Sequence, residues 1–168
     1  SSAASDVYKR QYKRCIMSRN EPFGIYIHIP YCRSKCRYCD FYSAPGARGV
    51  PQAYVDALLR ELAKNTRRPD TLYFGGGTPA LLSPGQVSTL IQAADPLPGA
   101  EITLEANPDV VTPETLVGFR QAGVNRISFG VQSASNAQLR RLGRPVERHL
   151  YADPEGMVLR DFDGRHFG

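Results

Sequence analysis

Four stretches of this chain alternate apolar and polar residues, and each is followed by a stretch with apolar residues at helical spacing. The alternating stretches predict strands, because successive side chains of a strand point to opposite faces. The other stretches predict helices that begin at proline or behind a capping Ser or Thr. A fourfold repeat of this kind predicts parallel strands covered by helices. The predicted strands are 24–29, 71–74, 101–105 and 126–131, and the predicted helices are 51–64, 84–94, 113–122 and 135–142.

The predicted strands are apolar on one face only. In the first strand Ile25, Ile27 and Ile29 share one face, while Tyr26 and His28 lie on the other. The third and fourth strands repeat this pattern. Parallel strands buried on both faces are usually nearly continuous apolar runs. The alternation therefore indicates one face under helices and one polar face that lines a wide, ligand-filled half barrel.

The composition is that of one globular domain. Of 168 residues, 42% are hydrophobic and 22% are charged, which is typical of a single folded unit of this length. No apolar run approaches the length of a membrane span, and no secretory signal is visible. We therefore predict a cytoplasmic protein without a membrane span.

A short loop after the first predicted strand contains three cysteines. Cys32, Cys36 and Cys39 are separated by three and then two residues, so the loop can wrap one compact metal centre. A structural zinc site uses four ligands and a four-iron cluster held wholly by protein uses four thiolates, but Phe41 stands where a fourth cysteine could have followed. The motif indicates an iron–sulfur cluster with one open iron. A zinc site completed by a histidine, an incidental group of thiols and half of a disulfide framework are weaker alternatives, because four cysteines are few for this length.

Positive charge surrounds these thiols. Arg33, Lys35 and Arg37 lie within the loop of a chain whose formal net charge is +5. In that position they would offset thiolate charge and attract an acidic partner. No basic stripe or nucleic-acid-binding module accompanies them, so we predict no nucleic-acid partner.

The cysteine spacing resembles that of the radical S-adenosylmethionine (radical SAM) superfamily. The resemblance implies a [4Fe-4S] cluster on Cys32, Cys36 and Cys39, whose open iron is chelated by the amino and carboxylate groups of S-adenosylmethionine. In this family the reduced cluster cleaves that cofactor to give a 5′-deoxyadenosyl radical, so the cofactors supply the chemistry. The implied fold class is α/β, a partial (β/α) barrel of six units, of which about four are legible here.

A run of three glycines follows the second predicted strand. Gly75, Gly76 and Gly77 precede Thr78 and Pro79, and glycines let a backbone approach a ligand in conformations that side chains forbid. The run lacks the glycine spacing of a dinucleotide site and the lysine of a P-loop. In the unit after the cysteine loop, it resembles the motif that binds the amino group of S-adenosylmethionine. The resemblance assigns Gly76, Gly77 and Thr78 to cofactor binding.

Other strand ends resemble further cofactor contacts of this family. Glu105, in Glu-Ala-Asn-Pro, corresponds to the residue that contacts the cofactor ribose. Without the resemblance, a solvated strand-end carboxylate would be the better interpretation. We interpret His28 as a satisfied polar core residue, the commoner role of a strand histidine. The remaining cofactor contacts implied by the resemblance are Tyr26, Tyr38 beside the adenine, Gln132 and Arg144.

Within the superfamily, the motifs resemble the HemN/HemW group, the oxygen-independent coproporphyrinogen III oxidases and their relatives. The resemblance extends from Phe23 to Arg144. The oxidases tend to carry Cys-Gly-Cys at the third cysteine, whereas Cys39, Asp40 and Phe41 resemble the haem-chaperone branch.

The resemblance to the chaperone branch implies haem as cargo, a haem-accepting apoprotein, and an acidic electron donor such as a flavodoxin. Two alternatives stay open. One is an enzyme that oxidatively decarboxylates coproporphyrinogen III by hydrogen abstraction, and the other is a zinc-binding structural module. Whether the chain has catalytic turnover is therefore open from the sequence.

Both ends of the sequence depart from this pattern. Residues 1–16 are interpreted as a non-native tail, because residues 6–11 match the translation of a transposon end used in sequencing libraries. Met17 would then be a natural start and Cys15 a free thiol without a role. Residues 17–144 form the predicted radical SAM core. Residues 145–168 match neither the expected helix nor a fifth strand, and are interpreted as a divergent, frameshifted or chimeric end.

Overall fold

A computed structural model describes residues 21–133 and 135–144 of the chain. The predicted tail 1–16, with Cys15, and the predicted divergent end 145–168 lie outside these residues. The described residues form an α/β fold of four strands and four helices in alternation, as the sequence predicts. In chain order the elements are β1 (Gly24–Ile29), α1 (Gln52–Leu62), β2 (Thr71–Gly76), α2 (Pro84–Ala94), β3 (Glu101–Ala106), α3 (Pro113–Ala122), β4 (Arg126–Phe129) and α4 (Asn136–Leu142), with a 3₁₀ turn at Pro79–Leu81.

One parallel sheet organises the described residues. Its strands are hydrogen-bonded in the order β1-β2-β3-β4, and every pair is parallel. The register aligns Leu72 with Ile25 on one side and with Ile102 on the other. Apolar residues therefore lie side by side on one face, and all carboxyl ends of the strands lie at one edge.

Three strand bounds differ from the sequence prediction, of which the smallest change is in β3, which ends one residue later, at Ala106. β2 continues beyond residue 74 to Gly76, because its glycines still pair with the end of β1. β4 ends at Phe129 rather than at residue 131, because the backbone turns there. The Val131 amide donates to the Phe129 carbonyl at 3.0 Å, and Gln132 has a φ of 64°, which is uncommon for a residue with a side chain.

The helix ends follow local signals in the sequence. Ser83 and Thr112 form capping boxes at the starts of α2 and α3, each worth about 1 kcal/mol. Gly123 ends α3 in the left-handed conformation, with a φ of 112°. α1 is shorter than predicted, because Pro51 is its N-cap and the helix ends at Leu62. No helix in the described part of the chain is long and apolar enough to cross a membrane.

The helices pack on the apolar face of the sheet. Full burial of a Leu, Ile, Val or Phe side chain stabilises the fold by about 1.5–3 kcal/mol. The apolar face is therefore the one covered by helices, and the polar face lies on the opposite side of the sheet. The fully buried core side chains from the first three strands and first two helices are Ile29, Val55, Leu72, Phe74, Val87, Leu90 and Leu104.

The opposite face is polar, as predicted, but its own side chains fill part of it. Thr103 is only 1% exposed. Its hydroxyl donates to Glu101 at 3.3 Å and accepts from Arg126 at 3.4 Å. At Thr103 the polar face is therefore filled by its own side chains. On β1, Tyr26 lies at the same level of the sheet as Thr103 and is 56% exposed, so the face is open on that side.

Candidate functional site

The predicted site residues lie near the carboxyl edge of the sheet. The cysteine loop follows β1, the glycine run ends β2, Glu105 is close to the end of β3, and Arg144 follows α4. Ligands of open parallel sheets bind outside the carboxyl ends of the strands. The topology alone thus brings together segments that are distant in the sequence.

Backbone hydrogen bonds fold the cysteine loop back on itself. The Cys32 amide donates to the Ala44 carbonyl at 3.0 Å, and the Cys32 carbonyl accepts from the Ala47 amide at 2.9 Å. The Cys39 amide donates to the Cys36 carbonyl at 3.2 Å. Cys32 is buried, while the other two cysteines are partly exposed. The loop therefore holds one thiol against the protein and offers two at the surface.

The glycine run is attached to the cysteine loop. The Gly77 amide donates to the Ile29 carbonyl and the Thr78 amide to the Tyr31 carbonyl, both at 2.8 Å. A Cβ at position 77 would lie 2.7 Å from the Tyr31 oxygen and 3.0 Å from the Cys32 sulfur, so only glycine permits this approach. The glycine at position 77 is thus required by the cysteine loop itself.

Gly76 and Tyr73 orient the carboxylate of Glu105. The Gly76 amide donates to Glu105 Oε2 at 3.1 Å, and the Tyr73 hydroxyl donates to Oε1 at 2.7 Å. Burial raises the pKa of Tyr73, and its hydrogen bond to Glu105 raises that pKa further. Tyr73 therefore stays a hydrogen-bond donor, and Glu105 is held by two donors from the neighbouring strand.

Arg144 connects the last helix with the other strand ends. Its Nη1 donates to Asn107 Oδ1 at 2.6 Å, and its Nε donates to the Tyr38 hydroxyl at 3.1 Å. Burial raises the pKa of Tyr38, while Arg144 acts in the opposite direction. The Arg37 amide donates to the Leu142 carbonyl at 3.2 Å. The end of α4 thus contacts the cysteine loop through both backbone and side chains.

Tyr26 and His28 lie side by side on the polar face of β1. The Tyr26 hydroxyl is 3.3 Å from His28 Nδ1, and the Tyr26 ring stacks on Tyr73 with centroids 5.9 Å apart. His28 Nε2 is 3.2 Å from the Tyr42 carbonyl oxygen, so both ring nitrogens have partners, as predicted. His28 is half-buried, however, and not part of the core. Gln132 is exposed, and the structure does not bring it into hydrogen bonding with the other predicted residues.

Three thiols on one loop are the donor set that a four-iron cluster with one open iron would use. Among residues 21–133 and 135–144, no three His, Cys, Asp or Glu side chains are arranged to hold one metal ion. A zinc site needs its ligands to converge on one point, whereas the thiolates of a four-iron cluster bind different irons and lie further apart. Three cysteines on one loop, one of them buried, match the thiolate ligands that a four-iron cluster would need.

A three-cysteine loop after the first strand and a glycine run after the second, joined at the carboxyl edge of a parallel sheet, define the radical SAM class. The family described as the Radical SAM superfamily matches residues 26–152. The chain belongs to this superfamily, which confirms the resemblance inferred from the cysteine and glycine motifs.

Similar proteins narrow the relationship to the HemN/HemW group. The chain is 44% identical over 161 residues to the Heme chaperone HemW of Escherichia coli, an alignment that covers 88% of this chain and 43% of that protein. It is 39% identical over 142 residues to the Heme chaperone HemW of Haemophilus influenzae, covering 76% of this chain and 37% of the relative. The chain therefore spans less than half the length of these curated relatives.

A solved structure supports the same relationship. The coproporphyrinogen III oxidase HemN of Escherichia coli, described as a radical SAM enzyme, aligns with a TM-score of 0.70 and 26% sequence identity. The alignment covers 84% of this chain and 35% of HemN. The α/β fold of four parallel strands is accordingly part of a radical SAM β/α barrel.

Two residues of the site were missed by the sequence analysis. Tyr73 lies on the polar face of β2 and supports Glu105. Alternation with the buried Leu72 and Phe74 could have placed Tyr73 on that face. Asn107 belongs to the Glu-Ala-Asn-Pro motif, but its contact with Arg144 joins residues that no local pattern relates.

Proposed function

We propose that the chain is a HemW-like radical SAM protein that holds a [4Fe-4S] cluster on Cys32, Cys36 and Cys39 and passes haem to an apoprotein. The observation that carries the proposal is the packing of the cysteine loop against the glycine run, in which a Cβ at position 77 would lie only 3.0 Å from the Cys32 sulfur. The identity of 44% to a Heme chaperone named HemW supports haem as the cargo.

Residues around the loop would bind S-adenosylmethionine. Glu105, held by Tyr73 and the Gly76 amide, presents a carboxylate that accepts hydrogen bonds from ribose hydroxyls. Arg144 presents a charged donor beside the Tyr38 ring. When bound, the cluster and S-adenosylmethionine would supply an electron and a radical for hydrogen abstraction. The full set of proposed cofactor contacts is Tyr26, Tyr38, Gly76, Gly77, Thr78, Glu105, Gln132 and Arg144.

The residue two positions after the third cysteine favours haem delivery over porphyrinogen oxidation. Phe41 follows Cys39 by two residues and is 57% exposed, where the oxidases tend to place a cysteine. The structural similarity to the coproporphyrinogen III oxidase HemN makes porphyrinogen oxidation the second candidate. The two functions differ in whether coproporphyrinogen III is consumed.

The proposed partners follow from charge and redox chemistry. Arg33, Lys35 and Arg37 are exposed around the thiols, and this positive surface would attract an acidic electron donor such as a flavodoxin. The free cysteines of the loop suit a reducing compartment, and we propose the cytoplasm.

Anaerobic reconstitution of the full chain with iron and sulfide tests the cluster. We expect a brown protein with iron and sulfide in a near-equal ratio and an electron paramagnetic resonance signal after reduction. Replacing Cys32, Cys36 or Cys39 singly by serine should abolish the signal, whereas Cys15→Ser should keep it. A colourless chain that retains zinc would overturn the cluster and favour the zinc-binding module.

The proposed cofactor site is tested by adding S-adenosylmethionine to the reduced, reconstituted chain. We expect the resonance signal to change on addition, and Glu105→Gln to need roughly tenfold more cofactor for the same change, since a hydrogen bond to a charged group contributes about 1.5–3 kcal/mol. Glu101→Gln is the matched control, because Glu101 is on the same strand but pairs with the exposed Arg126. Equal effects of the two variants would contradict the assignment of Glu105.

Haem titration of the chain separates the two candidate functions. The chaperone proposal expects saturable haem binding by absorption spectroscopy and transfer to an added haem-free acceptor. Coproporphyrinogen III incubated with the reduced protein and S-adenosylmethionine should persist. Its conversion to a decarboxylated product would instead favour the oxidase.

A further inference from the structure

A chain of three side-chain hydrogen bonds joins Arg144 to the sulfur of Cys32. Arg144 Nη1 donates to Asn107 Oδ1 at 2.6 Å. Asn107 Nδ2 lies 3.2 Å from the Thr78 hydroxyl, and that hydroxyl lies 3.5 Å from the Cys32 sulfur. Thr78 is 2% exposed and Cys32 is 8% exposed, so water does not compete at the end of the chain.

The direction of donation along this chain is fixed by Arg144. A guanidinium group only donates, so the Asn107 atom that faces it must be the carbonyl oxygen, and the amide nitrogen must face Thr78. The amide nitrogen also only donates, so the Thr78 oxygen accepts from it. The single hydroxyl proton of Thr78 is thereby directed to the Cys32 sulfur.

The surroundings maintain this direction. A Cβ at position 130 would lie 2.9 Å from Asn107 Oδ1, so Gly130 leaves the space in which Arg144 reaches Asn107. Arg144 also donates to the Gly130 carbonyl at 2.9 Å. The donor end of the chain is thus held by two acceptors that directly follow the neighbouring strands β3 and β4.

We propose that Thr78, directed by Asn107 and Arg144, is a positioning residue whose hydroxyl donates to the Cys32 thiolate and raises the reduction potential of the cluster. The proposal rests on the proposed function, because it needs the cluster on Cys32. A donor to a cluster sulfur stabilises the form with more negative charge, which is the reduced form. This role is separate from any contact of Thr78 with S-adenosylmethionine.

The test is a redox titration of the reconstituted full chain, monitored by electron paramagnetic resonance without S-adenosylmethionine. Thr78→Val keeps the shape but loses the hydroxyl. We expect its ratio of reduced to oxidised cluster at the wild-type midpoint to fall about tenfold, which for one electron is about 59 mV. Thr78→Ser keeps the hydroxyl and should have the same reduction potential as the wild type.

Asn107→Asp tests the direction of the chain independently. It offers Thr78 an acceptor instead of a donor, so the hydroxyl proton would turn from the sulfur and the potential would fall. The added negative charge of the aspartate also lowers the potential. In the T78V background no hydroxyl proton can turn, so N107D acts there through its charge alone. N107D should therefore lower the potential less in the T78V background than in the wild type.

Each outcome bears on the proposal in a defined way. A wild-type potential in T78V, an equal fall in T78V and T78S, or the same effect of N107D in both backgrounds would overturn it. Failure of the wild-type chain to assemble any cluster would overturn the proposed function and, with it, this inference. Assembly in the wild type with loss of the cluster in T78V but not in T78S would support the hydrogen bond through cluster retention.

Discussion

Replacing Gly77 by alanine tests whether the glycine run shapes the cysteine loop. The new Cβ would lie 2.7 Å from the Tyr31 carbonyl oxygen, 2.9 Å from the Ile29 carbonyl oxygen and 3.0 Å from the Cys32 sulfur. Two of these atoms belong to the backbone, so they cannot rotate away as the end of a side chain would. We therefore expect G77A to separate the cysteine loop from β2.

The expected loss of stability follows from the contacts affected. The amides of Gly77 and Thr78 donate to the same two carbonyls, each at 2.8 Å. Each hydrogen bond contributes about 1 kcal/mol net, and overpacking costs about 1–3 kcal/mol. If the loop keeps its hydrogen bonds it bears the overpacking, and if it moves away it loses the two bonds. We therefore expect the free energy of unfolding to fall by about 1–3 kcal/mol.

Urea unfolding followed by circular dichroism measures this loss, and iron analysis after anaerobic reconstitution measures the effect on the loop. Gly49→Ala is the matched control, because the nearest atom to its Cβ would be the Leu81 carbonyl oxygen at 3.9 Å. The control should lie within about 0.5 kcal/mol of the wild type. If G77A were as stable as G49A and held as much iron, the requirement for glycine at position 77 would be refuted.

Three further substitutions test the core, a loop and a pKa. Phe119 is 1% exposed, so Phe119→Ala should lower the free energy of unfolding in urea by about 3–5 kcal/mol; a loss below 1 kcal/mol would contradict its place in the core. Asn125 accepts from the Ile102 amide and donates to the Ala100 carbonyl, both at 2.8 Å, so Asn125→Ala should cost about 1–3 kcal/mol, and an unchanged melting temperature would disprove this. Because the pKa of Tyr73 is raised in the folded state, its neutral hydroxyl contributes stability that is fully present below the ordinary tyrosine pKa of 10.0. This contribution is lost as the pH rises toward the folded pKa. Tyr73→Phe should therefore flatten the fall in stability between about pH 9 and pH 11, measured by urea unfolding; an unchanged slope would count against the shift.

The fold could be predicted where each unit carries its own signals. Ser83 and Thr112 predict the starts of their helices, because their side chains cap the adjacent turn. The alternation of apolar and polar residues predicts the strands. The end of β2 could not be predicted, because it depends on pairing with β1, and the end of β4 could not, because the backbone turns after Phe129. Nor could the burial of Thr103, which results from contacts with Glu101 and Arg126.

The candidate site divides in the same way. The cysteine spacing and the glycine run are local motifs, so Cys32 and Gly77 could be identified directly. Tyr73 and Asn107 act through partners on other elements, and Tyr73 is 32 positions away from Glu105 in the sequence. Such contacts exist only after the strands have assembled, so the sequence alone does not reveal them.

The cysteine loop is supported by residues that are synthesised at very different times. Thr78 follows soon after the loop, whereas the hydrogen bond between Tyr38 and Arg144 joins residues 106 positions apart. At about 5–20 residues per second, a ribosome needs about 5–20 s to cover that interval. During this time the thiols are present without the contacts that α4 provides.

The accessibility of the thiols therefore depends on how far translation has proceeded. We expect Cys36 and Cys39 of ribosome-bound chains stalled before residue 136 to be alkylated faster than in chains that have emerged past residue 144. Equal labelling would show that α4 does not protect the loop. The late arrival of α4 leaves a period in which oxidants or foreign metals reach the thiols first, so iron is best delivered after this segment has left the ribosome.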